Sequence, residues 1–87
     1  MAELIHETRS TIIARDGKSF RALVVGEQRP DGTWHGWIEF RGARGAVLST
    51  GAETLQISRG ALEYWATGLE PSYVEGAFER AETLVVR

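Results

Sequence analysis

The side chains best suited to acid–base chemistry are a glutamate and a histidine that flank one turn of the chain. If Arg29 pairs with Thr33 across that turn, Glu27 and His35 become direct cross-strand neighbours. A carboxylate beside an imidazole can act as a general acid and base. The chain has no cysteine and only one other histidine, His6, so it offers neither a thiol nucleophile nor a metal-ligand set. These residues therefore favour a structural pair, in which Glu27 favours the charged form of His35, over a catalytic acid–base pair, and they predict no metal site.

Two other groups of residues could bind a small molecule. The same register sets Gly26 opposite Gly36, which leaves a flat spot on the other face of the sheet. That spot is either the floor of a small pocket or the place where a bulky helix residue such as Trp65 packs against bare backbone, and we favour the second. The turn 42–45, Gly-Ala-Arg-Gly, could bind a phosphate, although a looser surface turn is the favoured interpretation. No glycine-rich loop follows a strand and opens a helix, so the nucleotide-binding fingerprint is missing.

Turn residues divide the first two thirds of the chain into antiparallel strands. Arg15–Lys18 contains Asp-Gly, which is typical of a two-residue type I′ hairpin turn. Arg29–Thr33 has Pro30 at the first corner and Gly32 at a left-handed bulge position, which indicates a type I turn. We expect strands over 10–14, 20–25, 33–41 and near 46–49. The pairing across the second turn extends the second of these strands to residue 28. Residues 50–57 fit either a further extended segment or a loop.

The last third has the periodicity of helices. Ser58 can cap a helix over 59–67, with Gly68 as the glycine after its end. Ser72 and Glu75 match a capping box, which predicts a second helix running to about residue 82. The residues expected to face inward are Ala61, Leu62, Trp65, Leu69, Val74, Ala77, Phe78 and Ala81. Residues 83–86 fit either a short returning strand or a frayed end. The sequence predicts one α+β domain over 1–87, an antiparallel meander of about four strands followed by two short helices on one sheet face.

The predicted register gives the second sheet face a mixed character. That face carries four cross-strand pairs, Glu27 with His35, Val25 with Trp37, Leu23 with Glu39, and Arg21 with Arg41. A patch of Trp, Val and Leu is unusual on a solvated face and typical of an interface. We therefore predict an interaction surface formed by Trp37, Val25, Leu23, Arg21 and Arg41. The alternative is that Leu4-Ile5 or the C-terminal tail folds over this patch.

Composition excludes several classes of function. The 87 residues include no cysteine, and 10 Lys and Arg stand against 12 Asp and Glu, so disulfides and thiolate zinc sites are excluded. No apolar run reaches the roughly 20 residues of a membrane span, and the N-terminus lacks the pattern of a signal peptide, so we expect a cytoplasmic protein. The helical segment 59–82 has a net charge of −3, which argues against DNA binding. Arg21, Arg41 and Trp37 could form an RNA platform, but Glu27 and Glu39 on the same face argue against RNA as well.

Three stretches resemble HicB-type antitoxins over about half of the chain. They are 34–40 (Trp-His-Gly-Trp-Ile-Glu-Phe), 48–54 (Leu-Ser-Thr-Gly-Ala-Glu-Thr) and 61–65 (Ala-Leu-Glu-Tyr-Trp). That family places a β-hairpin, a Gly-x-Thr connection and a long helix in a truncated ribonuclease-H-like fold. The resemblance implies an antitoxin that masks a small basic ribonuclease, although this chain lacks the family's Pro-Asp-Leu-Pro-Gly segment and breaks the helix at 68–72. Residues 68–77 also resemble small bacterial proteins of similar length, a likeness that implies no mechanism.

These observations favour a non-enzymatic protein-interaction domain without a cofactor. Its partner would be a second copy of itself or another small protein, bound through the Trp37 face or through an open sheet edge. Two alternatives stay open. One is the antitoxin that the resemblance implies, and the other is a small-molecule or catalytic site near Gly26, Gly36, Glu27 and His35.

Overall fold

A computed structural model describes residues 1–83 as an antiparallel sheet covered on one side by two helices. The strands and helices are β1 (Glu3–Ile13), β2 (Ser19–Gln28), β3 (Trp34–Arg41), β4 (Val47–Ser49), β5 (Thr54–Gln56), α1 (Arg59–Thr67), α2 (Pro71–Arg80) and β6 (Glu82–Thr83). The sheet order is β1-β2-β3-β4-β6, and β5 pairs with the other half of the same edge of β3. The predicted α+β meander with two helices on one face is therefore confirmed.

The first hairpin has a different turn from the one that its sequence suggests. The Gly17 amide donates to the Ala14 carbonyl at 2.9 Å, and the Ala14 amide donates to the Lys18 carbonyl at 2.8 Å. Only Gly17 has a positive φ, of 86°, so this is a type I turn followed by a glycine bulge. The type I′ prediction was wrong because the Asp16 carboxylate accepts the Lys18 amide at 3.1 Å, which stabilises the right-handed corner.

The second hairpin has the same geometry and confirms the predicted register. Arg29 donates its amide to the Thr33 carbonyl at 2.7 Å, and Gly32 takes the left-handed position with φ 90°. All eight expected β2–β3 pairs are present, from Arg21 with Arg41 to Gln28 with Trp34. The division of the sheet into two faces therefore follows the sequence pattern.

The third hairpin turn, between β3 and β4, is tight. The Ala46 amide donates to the Ala43 carbonyl at 3.2 Å, and the Gly42 amide donates to the Ala46 carbonyl at 2.8 Å. Both central residues are left-handed, Arg44 with φ 60° and Gly45 with φ 76°. This is the type I′ pattern, so the prediction of a looser turn was wrong. Arginine is an unusual residue at this position because its Cβ crowds the backbone there.

Helix α1 begins and ends at the predicted residues. Ser58 is the N-cap, and its hydroxyl accepts the Ala61 amide at 3.1 Å. Gly68 follows the last turn with φ −91°, so it does not use the left-handed conformation that a glycine allows. The helix buries Leu62 and Ala66 against the sheet and keeps Trp65 half-buried.

Helix α2 begins at Pro71, which the sequence analysis did not recognise as its start. Glu70 is the N-cap and makes no side-chain capping bond, so the predicted Ser72–Glu75 capping box was wrong. Proline suits the first helical position because its φ is preset and no amide is left without a partner. Val74 and Ala77 are buried as expected, and Phe78 packs with Phe20 and Phe40 at ring distances of 5.3 and 5.1 Å.

One core lies between the helices and the sheet, and two glycines at its centre admit a leucine. A Cβ on Gly26 would overlap with Leu62 Cδ2, and one on Gly36 would lie 2.6 Å from Leu62 Cδ1. The predicted bulky residue over bare backbone is thus Leu62, not Trp65, and it occupies the space of the alternative pocket. The other buried members of this core are Ile5, Ile12, Phe20, Ala22, Val24, Ile38, Phe40, Ala66, Val74 and Ala77.

The ambiguous segment 50–57 contributes a short strand. Thr50 is buried, and its hydroxyl accepts the Ile38 amide at 3.0 Å. The chain then forms β5, which pairs with β3 from Trp34 to Gly36. Strand β6 pairs with β4, and the rest of the predicted terminal strand, 84–86, lies outside the described residues.

Candidate functional site

The face of the sheet that points away from both helices is here called the outer face. It contains the predicted surface around Trp37, because alternate residues of each strand point to opposite sides. Strands β1 and β5 extend it, with Leu4 paired to Val25 and Leu55 paired to His35. The segment Leu4-Ile5 is therefore part of an edge strand and does not fold over the Trp37 patch.

One half of the outer face is largely apolar, with Glu27 and His35 as its polar members. Leu4, Val25 and Trp37 are cross-strand neighbours on β1, β2 and β3. Leu55 on β5 is the cross-strand neighbour of His35, which lies two residues before Trp37 on β3. Leu4 is 50% exposed and Leu55 is 58% exposed, which is high for leucines that share a surface with a tryptophan. The Trp37 indole is half-buried and meets the His35 ring edge-on at 5.2 Å. These accessible side chains form a band across one end of the sheet.

The other half of the outer face is charged but internally neutralised. Arg21 forms an ion pair with Glu7 at 3.1 Å, and Arg41 forms one with Glu39 at 2.9 Å. The Trp37 indole N–H also donates to Glu39 at 3.4 Å, which links the two halves. Each arginine of the predicted cross-strand pair is thus occupied by a carboxylate, and the face offers little free positive charge for a nucleic acid.

Two residues that the sequence places on this surface have almost no solvent exposure. Leu23 is 2% exposed and Val25 is 3% exposed, although no helix packs on their side of the sheet. Their neighbours in adjacent strands carry long side chains that shield these smaller residues. The accessible apolar contacts are instead Trp37, Leu4 and Leu55. Sequence reasoning missed Leu55 because its strand has three residues, and missed Leu4 because no turn signal marks the start of β1.

Glu27 and His35 meet as the register predicts. His35 Nε2 lies 3.6 Å from Glu27 Oε1, a separation suited to an ion pair and longer than a hydrogen bond. The Met1 amino group, 2.9 Å from Glu27 Oε2, holds the pKa of this carboxyl below its usual value, and His35 adds to the effect. This arrangement resembles a surface ion-pair cluster more closely than an acid–base pair facing a cleft.

A second polar cluster, unforeseen from the sequence, joins α2 to the segment before β5. Glu53 Oε1 accepts both the Tyr73 hydroxyl at 2.5 Å and an Arg80 guanidinium N–H at 2.6 Å. The Glu53 side chain is only 11% exposed. Burial, and then the Glu53 carboxylate, raise the pKa of Tyr73 above its usual value. Tyr73 and Arg80 are 20 and 27 positions from Glu53 in the sequence, and no spacing signal connects the three residues.

Comparisons with protein families, curated proteins and solved structures find no match to this chain. Among the described side chains, those of residues 1–81, no three His, Asp or Glu converge as metal ligands. None of the helices in this part is both long enough and apolar enough to cross a bilayer.

Proposed function

We propose that this protein is a non-enzymatic homodimerisation domain whose outer face packs against the outer face of a second copy. The observation that supports this proposal is the cluster of accessible Leu4, Trp37 and Leu55 on the sheet side opposite both helices. Two sheets packed face to face form a sandwich about 10 Å thick whose inner side chains interdigitate. The apolar half of the outer face would form the centre of that sandwich.

A second copy suits this face because the face is both apolar and electrically balanced. Its two arginines form ion pairs with glutamates of the same face. Two copies can therefore associate without placing unpaired charges of the same sign against each other. A two-fold axis through the apolar half brings the same leucines and tryptophan together from both copies. A central tryptophan surrounded by aliphatic side chains is a common centre of binding energy in such interfaces.

Neither of the two alternative functions gains comparable support from the outer face or the core. A small basic ribonuclease would favour an acidic surface, and the described acidic residues without an ion pair include Glu70, Glu75 and Glu79, which lie in α2 or at its N-cap and not on the outer face. A small-molecule site over Gly26 and Gly36 would have to displace Leu62. A homodimer through the outer face is therefore the proposal that the geometry supports best.

The proposal is tested by comparing two charged substitutions at exposed apolar residues. Leu55→Glu places a carboxylate in the apolar half of the outer face, beside His35, whereas Tyr64→Glu changes an 83% exposed residue on α1. We expect the wild type and Tyr64→Glu to sediment as dimers at about 100 µM, and Leu55→Glu to weaken the dimer at least about tenfold. A wild type that stays monomeric, or a Leu55→Glu variant that dimerises normally, would contradict the proposal.

A further inference from the structure

The end of the sheet that carries the first and third hairpin turns contains a cleft with an apolar wall and a cationic rim. Its volume is about 460 Å³, and its lining comes from two chain segments. Lys18 and Phe20 belong to the first hairpin, and Gly42 and Arg44 belong to the third. Phe20 belongs to the core between sheet and helices, so the cleft is separate from the outer face.

The rim has two cations that the fold leaves available. Lys18 lies 3.7 Å from Asp16, which is within ion-pair distance but beyond hydrogen-bond length, so its ammonium can turn toward another anion. Arg44 forms no ion pair with any of the side chains that the structure describes, those of residues 1–81. Lysine and arginine are the side chains that bind phosphate most strongly, Lys as a point charge and Arg as a fork of donors.

Two features of the third turn shape the wall and the rim of this cleft. A Cβ on Gly42 would lie 2.8 Å from Phe20 Cε2, so glycine at this position lets the Phe20 ring pack directly against the turn and form the wall of the cleft. Arg44 occupies a left-handed position, φ 60°, where asparagine or glycine would be less strained. A residue that is locally unfavourable and makes no compensating ion pair is a candidate for a binding role.

We propose that this cleft binds a small phosphate ester. Its phosphate would lie between the Lys18 ammonium and the Arg44 guanidinium, and its apolar part would lie against Phe20, Ala43 and Ala46. The two cations are 26 positions apart in the sequence and are brought together only by the hairpins. The proposal is independent of the dimer, because the cleft shares no lining residue with the apolar half of the outer face.

Amide NMR titrations with phenyl phosphate, inorganic phosphate and phenol test this proposal. For the wild type we expect saturating shifts from phenyl phosphate near Lys18–Phe20 and Gly42–Ala46, with a dissociation constant of about 1 mM or below. Inorganic phosphate should bind the same amides more weakly, because it lacks the apolar part, and phenol should bind about tenfold more weakly or not at all. No saturation by about 10 mM phenyl phosphate, or saturation centred on other amides, would overturn the proposal.

Three variants show whether the two cations form the site. Arg44→Asn removes the charge with a residue that suits the left-handed turn, so it should fold well and bind phenyl phosphate about tenfold more weakly. Lys18→Gln should weaken binding by a similar factor. Arg29→Gln is the matched control, since it removes an exposed cation from the second hairpin, and it should change binding by less than about twofold. Unchanged affinity in Arg44→Asn and Lys18→Gln would show that these cations do not bind the phosphate, and would reject the site. An equal loss in Arg29→Gln would show that the phosphate binds by general charge, and would reject it as well.

Discussion

Gly26 and Gly36 determine how closely α1 approaches the sheet. Both Leu62 methyl groups lie where a side chain at these positions would be, and Leu62 itself is fully buried. Because the leucine is fixed between two backbone segments, moving away from one glycine would press it against other core atoms. The close approach was visible in the sequence as a pair of opposed glycines. The partner residue was not, because periodicity gives the face of a helix but not its height above the sheet.

We therefore expect Gly36→Ala to destabilise the fold by about 1–3 kcal/mol, as overpacking of a filled core does. Gly76→Ala in the middle of α2 is the matched control, because its nearest neighbour is Arg80 Nη1 at 3.6 Å, so alanine should stabilise the helix by about 0.5–1 kcal/mol. Urea unfolding measures both changes. Equal changes in the free energy of unfolding at the two glycines would refute the packing account. So would a loss from Gly36→Ala that is as large in a Leu62→Ala background as in the wild type.

Arg44 bears local backbone strain in the third turn. Replacing it with asparagine should raise the free energy of unfolding by about 0.5–1 kcal/mol, because asparagine tolerates the left-handed conformation and is preferred in type I′ turns. The denaturant midpoint should rise without a change in slope. A lower midpoint would mean that Arg44 makes a stabilising contact that outweighs its strain.

The Tyr73 hydroxyl should report on the Glu53 cluster. Burial and the Glu53 carboxylate raise the pKa of Tyr73 above the usual value of a tyrosine. This raised pKa contributes stability that is present at neutral pH and is lost as the pH rises through the folded-state pKa. In a Tyr64→Phe background only Tyr73 gives a tyrosinate signal, because the chain has two tyrosines. Glu53→Gln should lower that pKa, and an unchanged absorbance titration would argue against the contact.

At the scale of elements, local chemistry decided which features could be predicted. The Arg29–Thr33 turn fixed the β2–β3 register, and Ser58 fixed the start of α1, because each signal lies within a few residues of its effect. The start of α2 was misplaced because Ser72 and Glu75 mimic a capping box, while Pro71 had already fixed the first helical φ. Short strands such as β5 depend on distant pairing, and their three residues carry no periodicity of their own.

The two serines near the helix starts give a test at this scale. Ser58→Ala should cost about 1 kcal/mol, because it removes the hydroxyl that accepts the Ala61 amide at 3.1 Å. Ser72→Ala is the matched control and should change stability by less than about 0.5 kcal/mol, since α2 has no side-chain cap. Thermal or urea unfolding measures both. A larger loss at Ser72 than at Ser58 would show that the capping assignment is reversed.

At the scale of the whole molecule, the helices cover one face of the sheet, and no element within residues 1–83 covers the apolar half of the other face. The sequence register located the Trp37 surface, but it could not show that Leu23 and Val25 are shielded, since shielding depends on side chains of three strands. It also could not place Leu55 beside His35, because that pairing joins segments 20 residues apart. The resulting surface is smaller than predicted and is centred on Trp37, Leu4 and Leu55.

The most direct test of the homodimer is an isotope-filtered NOE experiment on a mixture of labelled and unlabelled protein. The proposed interface predicts contacts between the Trp37 indole of one copy and the Leu4 or Leu55 methyl groups of the other. Leu55→Glu should abolish these contacts, and Tyr64→Glu should preserve them. Intermolecular contacts confined to α1 around Tyr64, or no intermolecular contacts at about 1 mM protein, would contradict the proposed homodimer.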